Sequence, residues 1–320
     1  MFESRGRLDL GQFSYVLMTA ARNEEDYIEH TLRSVVAQTV KPKKWVIVSD
    51  GSTDRTDAII KGYQEKFDWI SLLRMPEHEE RDFAAKARCL GAAWKLMENV
   101  DYCLIGNCDA DLSFEPDYVE FLLDKFRSDP RLGVAGTPFV ERDGQSYDYR
   151  FTNIEHVSGG FQLFRRACFE EIGGFTPIKV GGEDWIAVTS ARMMGWTTRT
   201  FSERTYDHLK LMGSGERMFL ASKFKSGYED YLLGNHPFWE FFRAIYQLRS
   251  RPVVFGSLAR LIGYAKGALG RPDRPISEQL VRFNRKEQIA RLKEFFRERL
   301  RSKPRKSRSQ TGEPDGGSQG

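Results

Sequence analysis

The sequence predicts an α/β fold in which a mainly parallel central sheet is flanked by helices, followed by a helical C-terminal appendage. Short runs of β-branched and aromatic residues alternate with helical periodicity from residue 15 to about 137, which is the pattern of βαβ units. Polar loops follow three of the predicted strands. Beyond residue 210 longer helical segments replace the strands.

These changes along the chain predict four parts. We expect an N-terminal segment at 1–13, an α/β domain at 14–212, a helical region at 213–300, and a disordered, basic and polar tail at 301–320.

The strands of the α/β domain are predicted from their apolar runs and the helices from apolar spacing. Strands are expected at 15–19, 45–49, 69–74, 102–105, 133–137 and 197–201, and helices at 28–36, 59–67, 83–97, 118–126 and 183–194. Ligands of such sheets bind at the carboxyl ends of the strands, so the loops there are the place to look for chemistry.

The composition is that of a globular protein with a large core. Of the 320 residues, 40% are hydrophobic and 29% are charged. The net charge of +4 comes mainly from the basic cluster at 301–308, so the rest of the chain is nearly neutral. The charge of the chain therefore does not indicate a nucleic-acid partner. The four cysteines lack CxxC spacing, which predicts reduced thiols rather than a structural zinc site.

Neither a signal peptide nor a membrane span is predicted. The first ten residues mix charges, and the chain has no run of 18 or more uncharged apolar residues. We therefore expect a cytoplasmic protein, with peripheral contact at the inner face of the cell membrane as an open alternative. The basic cluster of the tail fits simple solvation and attraction to anionic lipid headgroups equally well.

The helical region contains two segments that bear on membrane contact. Residues 238–246 combine aromatic side chains with arginine, a mixture typical of headgroup-level contact. Segment 253–269 carries an apolar stripe with Arg260 and three glycines opposite, and the stripe either packs on a domain or docks on a membrane surface. The stripe consists of Val254, Leu258, Leu261, Ile262, Ala265 and Leu269. A flexible loop is predicted at 213–217 and a final helix at 278–300.

Asp109 and Asp111 follow the fourth predicted strand and are suited to a hard divalent cation. Mg²⁺ and Mn²⁺ take one or two protein carboxylates and fill their other positions with phosphate oxygens and water. An acidic turn is the alternative explanation, because aspartate is common in loops.

The loop after the second strand, Asp-Gly-Ser-Thr-Asp at 50–54, has both a structural and a binding interpretation. Gly51 permits a tight turn, and Ser52 or Thr53 is predicted to cap the next helix. Capping does not explain Asp50, which stands at the end of the strand, before Gly51. A carboxylate at that position can accept a hydrogen bond from a nucleobase N–H.

Together these loops resemble those of the family 2 glycosyltransferases, which have the Rossmann-like GT-A fold. The family pattern is Asn-Glu-Glu after the first strand, Asp-Gly-Ser-Thr-Asp after the second and Asp-x-Asp after the fourth, found here at 23–25, 50–54 and 109–111. The resemblance covers about residues 14–210 and includes 159–166, 172–175 and 181–185. Bacterial enzymes of surface or extracellular polysaccharide synthesis look nearest.

The resemblance implies a nucleotide-diphosphate sugar donor, Mn²⁺ or Mg²⁺ as cofactor, and a glycan or lipid-linked acceptor. The donor-binding residues it implies are Asp50 and Glu24 at the base, the backbone of Thr19 and Ala20, Arg22 and Ser52 of the first two loops, Lys86 near the phosphates, and Asp109 toward the ribose and sugar. For Lys86 and its neighbour Arg88, a solvated helix face is the alternative.

The same resemblance implies a metal site and a catalytic base. Asp111 is the expected metal ligand, with Asp109 and His208 as further members, although a lone histidine is more often a packing or surface residue. An inverting transfer needs a carboxylate to take the proton of the acceptor hydroxyl. Asp184 is favoured for this role and Glu183 is the alternative. Favourable charge at a helix N-terminus would explain both carboxylates without catalysis.

Two other functions remain to be weighed. A nucleotidyltransferase shares the α/β nucleotide-binding architecture, but no glycine-rich phosphate loop with a basic partner follows the first strand. A non-catalytic membrane-surface binding protein would show no activity to lose when the carboxylates are replaced.

Overall fold

The computed structural model describes residues 13–77, 84–141, 154–179, 181–210, 216–247 and 254–301. Residues 1–12 of the predicted N-terminal segment, residues 211–215 of the predicted loop region and the tail from 302 onward lie outside the described residues.

Ten strands and ten helices are found in the described part of the chain. The strands are β1 (Tyr15–Ala21), β2 (Lys44–Asp50), β3 (Ile70–Met75), β4 (Leu104–Cys108), β5 (Leu112–Ser113), β6 (Leu132–Gly136), β7 (Phe139–Glu141), β8 (Phe161–Arg165), β9 (Thr197–Thr200) and β10 (Tyr206–His208). The helices are α1 (Ile28–Ala37), α2 (Thr56–Gln64), α3 (Ala84–Lys95), α4 (Tyr118–Ser128), α5 (Arg166–Glu171), α6 (Glu183–Met193), α7 (Glu216–Leu232), α8 (Pro237–Gln247), α9 (Val254–Gly270) and α10 (Glu278–Arg301).

The central sheet has seven strands in the order β3-β2-β1-β4-β8-β6-β9. Its pairings are parallel except at β8, which runs antiparallel to both β4 and β6. The predicted mainly parallel α/β fold is confirmed, while β8 was not predicted. A second, three-stranded sheet has the order β5-β10-β7 and brings the segment after β9 back beside the loop that follows β4.

The inner strands are continuous apolar runs because both faces of the sheet are covered. In β1, Tyr15 and Leu17 belong to one core cluster, which includes residues of α1, α2 and α4. Val16 and Met18 belong to the other cluster, together with residues of α3, α5 and α6. Successive side chains of β1 thus point to opposite faces of the sheet, and this alternation sets the orientation in which the loop after β1 begins at the carboxyl edge.

β4 begins two residues later than predicted and ends directly before Asp109. The apolar run stops at Ile105, but the strand continues through Gly106, Asn107 and Cys108. Asn107 can be buried in the strand because its amide donates to the carbonyl of Gly159, at 2.6 Å. The predicted position of the Asp pair after the strand is therefore right, and the strand bounds are wrong.

Helices α7 and α9 cross at very short distance. A Cβ on Gly227 would overlap the carbonyl oxygen of Arg260, and one on Gly263 would overlap that of Phe224. The buried face of α9 is consequently its glycine side, where Arg260 and Ser257 lie. No helix of the described ranges is long and apolar enough to span a bilayer.

The apolar stripe of α9 faces outward for much of its length, so of the two alternatives packing on the domain does not describe it there. Leu258 is 53% exposed, Ile262 52% and Leu269 87%. Small residues, rather than large apolar ones, form the contact because they permit the close backbone approach to α7.

A polar network joins the C-terminal helices. The Arg260 guanidinium binds Asp230 of α7 and lies 3.4 Å from Glu240 of α8. Between the helices, the Asn235 amide donates to both carboxylates, at 3.0 and 2.9 Å, and its oxygen accepts from Asn284 and Gln288 of α10. All four helices are thus held by one cluster of charged and amide side chains.

Helix α10 also braces α6, the helix that begins with Glu183. Arg192 near the end of α6 makes two hydrogen bonds to the Glu287 carboxylate, at 2.9 and 3.0 Å. Arg291 reaches Glu155 at 3.3 Å. The four cysteines, all within the described residues, are free thiols.

Candidate active site

A polar cleft of about 220 Å³ opens at the carboxyl edge of β1, β2 and β4. It is lined by Ala20, Ala21, Arg22, Glu24, Asp50, Lys86, Cys89, Asp109, Ala110 and Asp111. A larger cavity of about 430 Å³ lies between α3 and α5, beside Trp94 and Arg166, and none of the predicted site residues lines it. The smaller cleft brings together Asp111 and six of the eight predicted donor residues, whereas Glu183, Asp184 and His208 are not among its lining residues.

The first two loops hold each other in place through side chain to backbone hydrogen bonds. The Asn23 amide oxygen accepts from the N–H of Thr53 at 2.8 Å, and the Ser52 hydroxyl accepts from the N–H of Asn23 at 3.2 Å. The predicted cap by Ser52 or Thr53 is wrong, because Asp54 accepts the N–H of Thr56 at 3.0 Å at the start of α2. The Asn23 φ of 53° lets the loop turn back toward the second one.

Two of the predicted donor residues do not line the cleft. Thr19 is fully buried, and its hydroxyl accepts a 2.9 Å hydrogen bond from the indole N–H of Trp45. Ser52 is buried between the first two loops. The Thr19 hydroxyl thus joins β1 to β2 and that of Ser52 joins the first two loops, whereas Ala20 lines the cleft. The role implied for Thr19 concerns its backbone and stays a prediction.

At one end of the cleft, Asp50 lies beside a cation and a thiol. The Arg22 guanidinium is 3.7 Å from the Asp50 carboxylate. Burial and the nearby Asp50 carboxylate raise the pKa of Cys89 to about 12, so the thiol stays protonated at neutral pH. Asp50 is well placed at this end to accept hydrogen bonds.

Lys86 joins the Asp109 side of the cleft to the start of α6. Its ammonium is 2.6 Å from the Asp109 carboxylate and 3.4 Å from the carbonyl oxygen of Gly159. Burial lowers the pKa of Lys86, but Asp109, Glu183 and Asp184 outweigh it and leave the pKa raised. Burial raises the pKa of Asp109, and Lys86 opposes that shift. Lys86 is thus a site cation and not a solvated helix residue.

Asp111, which lines the cleft, and His208 beside it form a pair of side chains that suits a divalent cation. The His208 Nε2 is 3.5 Å from an Asp111 carboxylate oxygen, and the His208 Nδ1 is 2.9 Å from the carbonyl oxygen of Lys210. Because a carbonyl only accepts, Nδ1 of the neutral ring carries the proton and Nε2 keeps its lone pair toward Asp111. An imidazole and a carboxylate fit a cation that takes few protein ligands and completes its shell with phosphate and water.

These two side chains do not make a complete metal site by themselves. No group of three or more histidine, cysteine and acidic side chains able to hold a metal occurs within the part of the chain that the structure describes. Asp109 is directed to Lys86 instead. The remaining ligands would have to come from the bound donor and from water.

Glu24 faces the cleft with an unusual balance of charge. Burial raises its pKa, Lys210 opposes the shift from 2.6 Å away, and Asp111 and Asp109 add to it. Its second carboxylate oxygen is buried without a hydrogen-bond partner in the described residues. Lys210 was not predicted from the sequence, since it belongs to no motif and lies 186 residues along the chain from Glu24.

Glu183 and Asp184 stand at the N-terminus of α6, where two glycines turn the chain. Gly181 and Gly182 have φ angles of 84° and 92°, in the left-handed region that favours glycine. Burial raises the pKa of Glu183, Lys86 lowers it, and Asp184 raises it again. A Cβ on Gly159 would lie 2.7 Å from an Asp184 oxygen, so only glycine leaves room for that carboxylate.

Carboxylates at the carboxyl ends of parallel strands make this cleft a candidate ligand site of an α/β protein, at the edge of the sheet where such proteins bind their ligands. The chain belongs to glycosyl transferase family 2, whose family model matches residues 17–179.

Curated relatives include poly-beta-1,6-N-acetyl-D-glucosamine synthases. The enzyme of Staphylococcus aureus strain MSSA476 is 28% identical over 176 residues, which cover 49% of this chain and 40% of the relative. That of Staphylococcus epidermidis is 26% identical over the same length. The matched part thus spans less than half of these relatives.

Similar solved structures agree on the fold. A mannosyltransferase from Pyrobaculum calidifontis, in complex with GDP-Man and Mn²⁺, matches 91% of this chain and 81% of its own, with a TM-score of 0.53 and 20% identity. Residues 1–349 of S. aureus TarS in complex with UDP-GlcNAc match 67% of this chain and 66% of their own, with a TM-score of 0.52 and 16% identity.

Proposed function

We propose that this glycosyltransferase is metal-dependent and inverting, and that it moves a sugar from a nucleotide diphosphate to a hydroxyl of a glycan or lipid-linked acceptor in polysaccharide biosynthesis. The observation that supports this most is the meeting of three loops in one cleft, where Lys86 links the carboxylate of Asp109 to the acidic pair at the start of α6. The polysaccharide synthases among the relatives support the acceptor class.

The donor would lie along the cleft with its base toward Asp50 and its diphosphate toward Asp111. Asp50 accepts a hydrogen bond from the base N–H, and the Arg22 guanidinium, 3.7 Å away, helps to orient this carboxylate. Asp109 is directed toward the ribose and donor sugar and held there by Lys86.

Asp111 and His208 would hold Mn²⁺ or Mg²⁺. A bound cation of this kind neutralises the charge of the departing diphosphate and orients it. The hydrogen bond from His208 to the Lys210 carbonyl fixes the ring for that task.

The transfer itself needs a base on the acceptor side, and Asp184 is our choice. Its carboxylate takes the proton of the acceptor hydroxyl while the oxygen forms a bond to the anomeric carbon. The bond from that carbon to the diphosphate oxygen breaks on the opposite face, which inverts the configuration. Glu183 is the alternative base, since its raised pKa also suits proton transfer.

A donor panel tests this function. With nucleotide sugars, Mn²⁺ or Mg²⁺ and membrane lipid supplied, we expect release of nucleoside diphosphate, and we expect chelation by EDTA to abolish it. Asp111→Asn should lower the release at least ~100-fold, because it removes an anionic ligand of the cation. Asp207→Asn, an exposed neighbour of His208 on β10, is the control and should be unaffected.

Three outcomes would contradict the proposal. Full activity in EDTA would exclude the cation. Release of pyrophosphate from a nucleoside triphosphate, with no nucleoside diphosphate from any sugar donor, would favour the nucleotidyltransferase alternative. No release from any donor would favour a binding role.

We also propose that helices α8 and α9 dock on the inner face of the cell membrane. The large apolar side chains that α9 exposes are Phe255, Leu258, Ile262 and Leu269, and those of α8 are Phe238, Phe241 and Ile245. The exposed Lys266 stands among the side chains of the α9 row and complements anionic headgroups. A docked enzyme would meet lipid-linked acceptors directly.

Co-sedimentation with vesicles checks this docking. Binding to vesicles that contain anionic lipid is expected to fall at least about fivefold in a Leu258→Glu, Ile262→Glu double variant, because charge is placed in an apolar contact. Leu96→Glu, at a 47% exposed leucine just after α3, is the control. Unchanged vesicle binding of the double variant would exclude this surface as a membrane contact.

A further inference from the structure

The ion pair between Lys210 and Glu24 lies at the border of the cleft. The Lys210 ammonium lies 2.6 Å from one Glu24 carboxylate oxygen, joining the chain after β10 to the loop after β1. Glu24 itself lines the cleft beside Asp111.

The backbones at both ends of this pair are fixed. The Glu24 N–H donates to the Thr56 hydroxyl at 2.8 Å. On the other side, the Leu209 N–H donates to the carbonyl oxygen of Asp111 at 2.9 Å, and the Lys210 carbonyl accepts from His208. Only the long Lys210 side chain, 45% exposed, is able to change its partner without moving the loops.

The negative charges around Glu24 favour an exchange of partner by the Lys210 ammonium when a diphosphate binds. The Glu24 side chain is 15% exposed, and its second oxygen is buried without a hydrogen-bond partner in the described ranges. It lies near Asp111 and Asp109, so Lys210 offsets a concentration of negative charge while the cleft is empty. A diphosphate brings two anionic phosphate groups to this place, and together they offer an ammonium more negative charge and more acceptor oxygens than a single carboxylate does.

We propose that Lys210 is a donor-binding residue whose ammonium leaves Glu24 and binds a diphosphate oxygen when the nucleotide sugar enters. This rests on the proposed function, since it requires a diphosphate donor beside Asp111 and His208. Glu24 then accepts a hydrogen bond from a donor hydroxyl through the oxygens that Lys210 has left. Lys210 lies two residues after His208 in the chain. Its flexible side chain is therefore long enough to reach a diphosphate bound beside His208.

The alternative is that the pair merely ties two loops together. Such a tie would affect all nucleotides alike, whereas a phosphate contact depends on the number of phosphates. The comparison of nucleoside diphosphate with nucleoside monophosphate therefore separates the two roles.

Calorimetric titration of the full chain in Mn²⁺ with nucleoside mono- and diphosphates is the test. Lys210→Ala is expected to weaken binding of the diphosphate about 10- to 100-fold, in the range of a hydrogen bond to a charged group, and that of the monophosphate less than about threefold. Lys210→Arg should retain most of the diphosphate affinity. The control is Lys43→Ala, because Lys43 is 44% exposed, is ion-paired to Asp101 and precedes β2 at the opposite edge of the sheet.

Each result decides the matter. Equal losses for mono- and diphosphate in Lys210→Ala, or no loss at all, would overturn the role of Lys210 while leaving the proposed function intact. If the unaltered protein binds neither nucleotide, the proposed function fails first. Unchanged circular dichroism of the variants shows that they are folded.

Discussion

Asp184→Asn is expected to lower the rate of sugar transfer at least ~100-fold while nucleoside diphosphate binding stays within about twofold of the original. The amide has the shape of the carboxylate but cannot take a proton from the acceptor hydroxyl. Asp184 stands at the start of α6 against Gly159 and is not among the residues that line the cleft with Asp50 and Asp109, so its loss should spare the donor site.

The matched variant is Glu183→Gln, at the neighbouring position of the same helix turn. The charges of Lys86 and Asp109 both shift the pKa of Glu183, so Glu183 is coupled electrostatically to the donor side of the site. We therefore expect Glu183→Gln to change donor affinity more than the transfer rate. Initial rates at saturating donor, together with titration of nucleoside diphosphate, separate the two effects.

A reversed pattern would move the base to Glu183. If Asp184→Asn retained full transfer and Glu183→Gln lost it, the burial that raises the pKa of Glu183 would explain the choice, because a base with a pKa closer to neutrality is the better catalyst.

The sheet and its loops were predictable because local pattern and global fold agree there. β1 and β2 are buried on both faces, so they appear in the sequence as apolar runs, and the polar loops after them stand out. The Asp109 and Asp111 pair could be placed at the cleft for the same reason.

Other features depend on contacts that no local pattern records. β8 is antiparallel among parallel strands, and β10 joins a small sheet of two- and three-residue strands, below the length that alternation reveals. The ion pair between Glu24 and Lys210 depends on this return of the chain. In α9 the apolar stripe faces outward, because glycines on the other face allow close contact with α7.

Arg260→Met is expected to destabilise the C-terminal helices by about 3–5 kcal/mol, the cost of leaving buried charges without their partner. Arg260 is 8% exposed and binds the carboxylates of Asp230 and Glu240, which are 12% and 1% exposed. Arg243 lies 3.7 and 3.6 Å from the same two groups and offsets part of the loss, so the lower end of that range is expected.

The pH dependence of this loss identifies its cause. Burial and the neighbouring Glu240 raise the pKa of Asp230 to about 7, while Arg243 and Arg260 oppose the shift. Because the folded state keeps a proton that the unfolded state has already released, stability from this group is highest near pH 4 and falls as the pH rises toward 7. Without Arg260 the carboxylates should hold protons more tightly, so Arg260→Met should destabilise less at pH 5.5 than at pH 8.

Hydrogen exchange of α7 to α10 in the full chain measures the effect. Arg282→Ala is the control, because Arg282 forms an exposed pair with Glu278 on α10, and such pairs contribute at most about 0.5 kcal/mol. Equal destabilisation by Arg260→Met at both pH values would show that lost packing of the arginine stem, and not uncompensated charge, dominates at this crossing of helices.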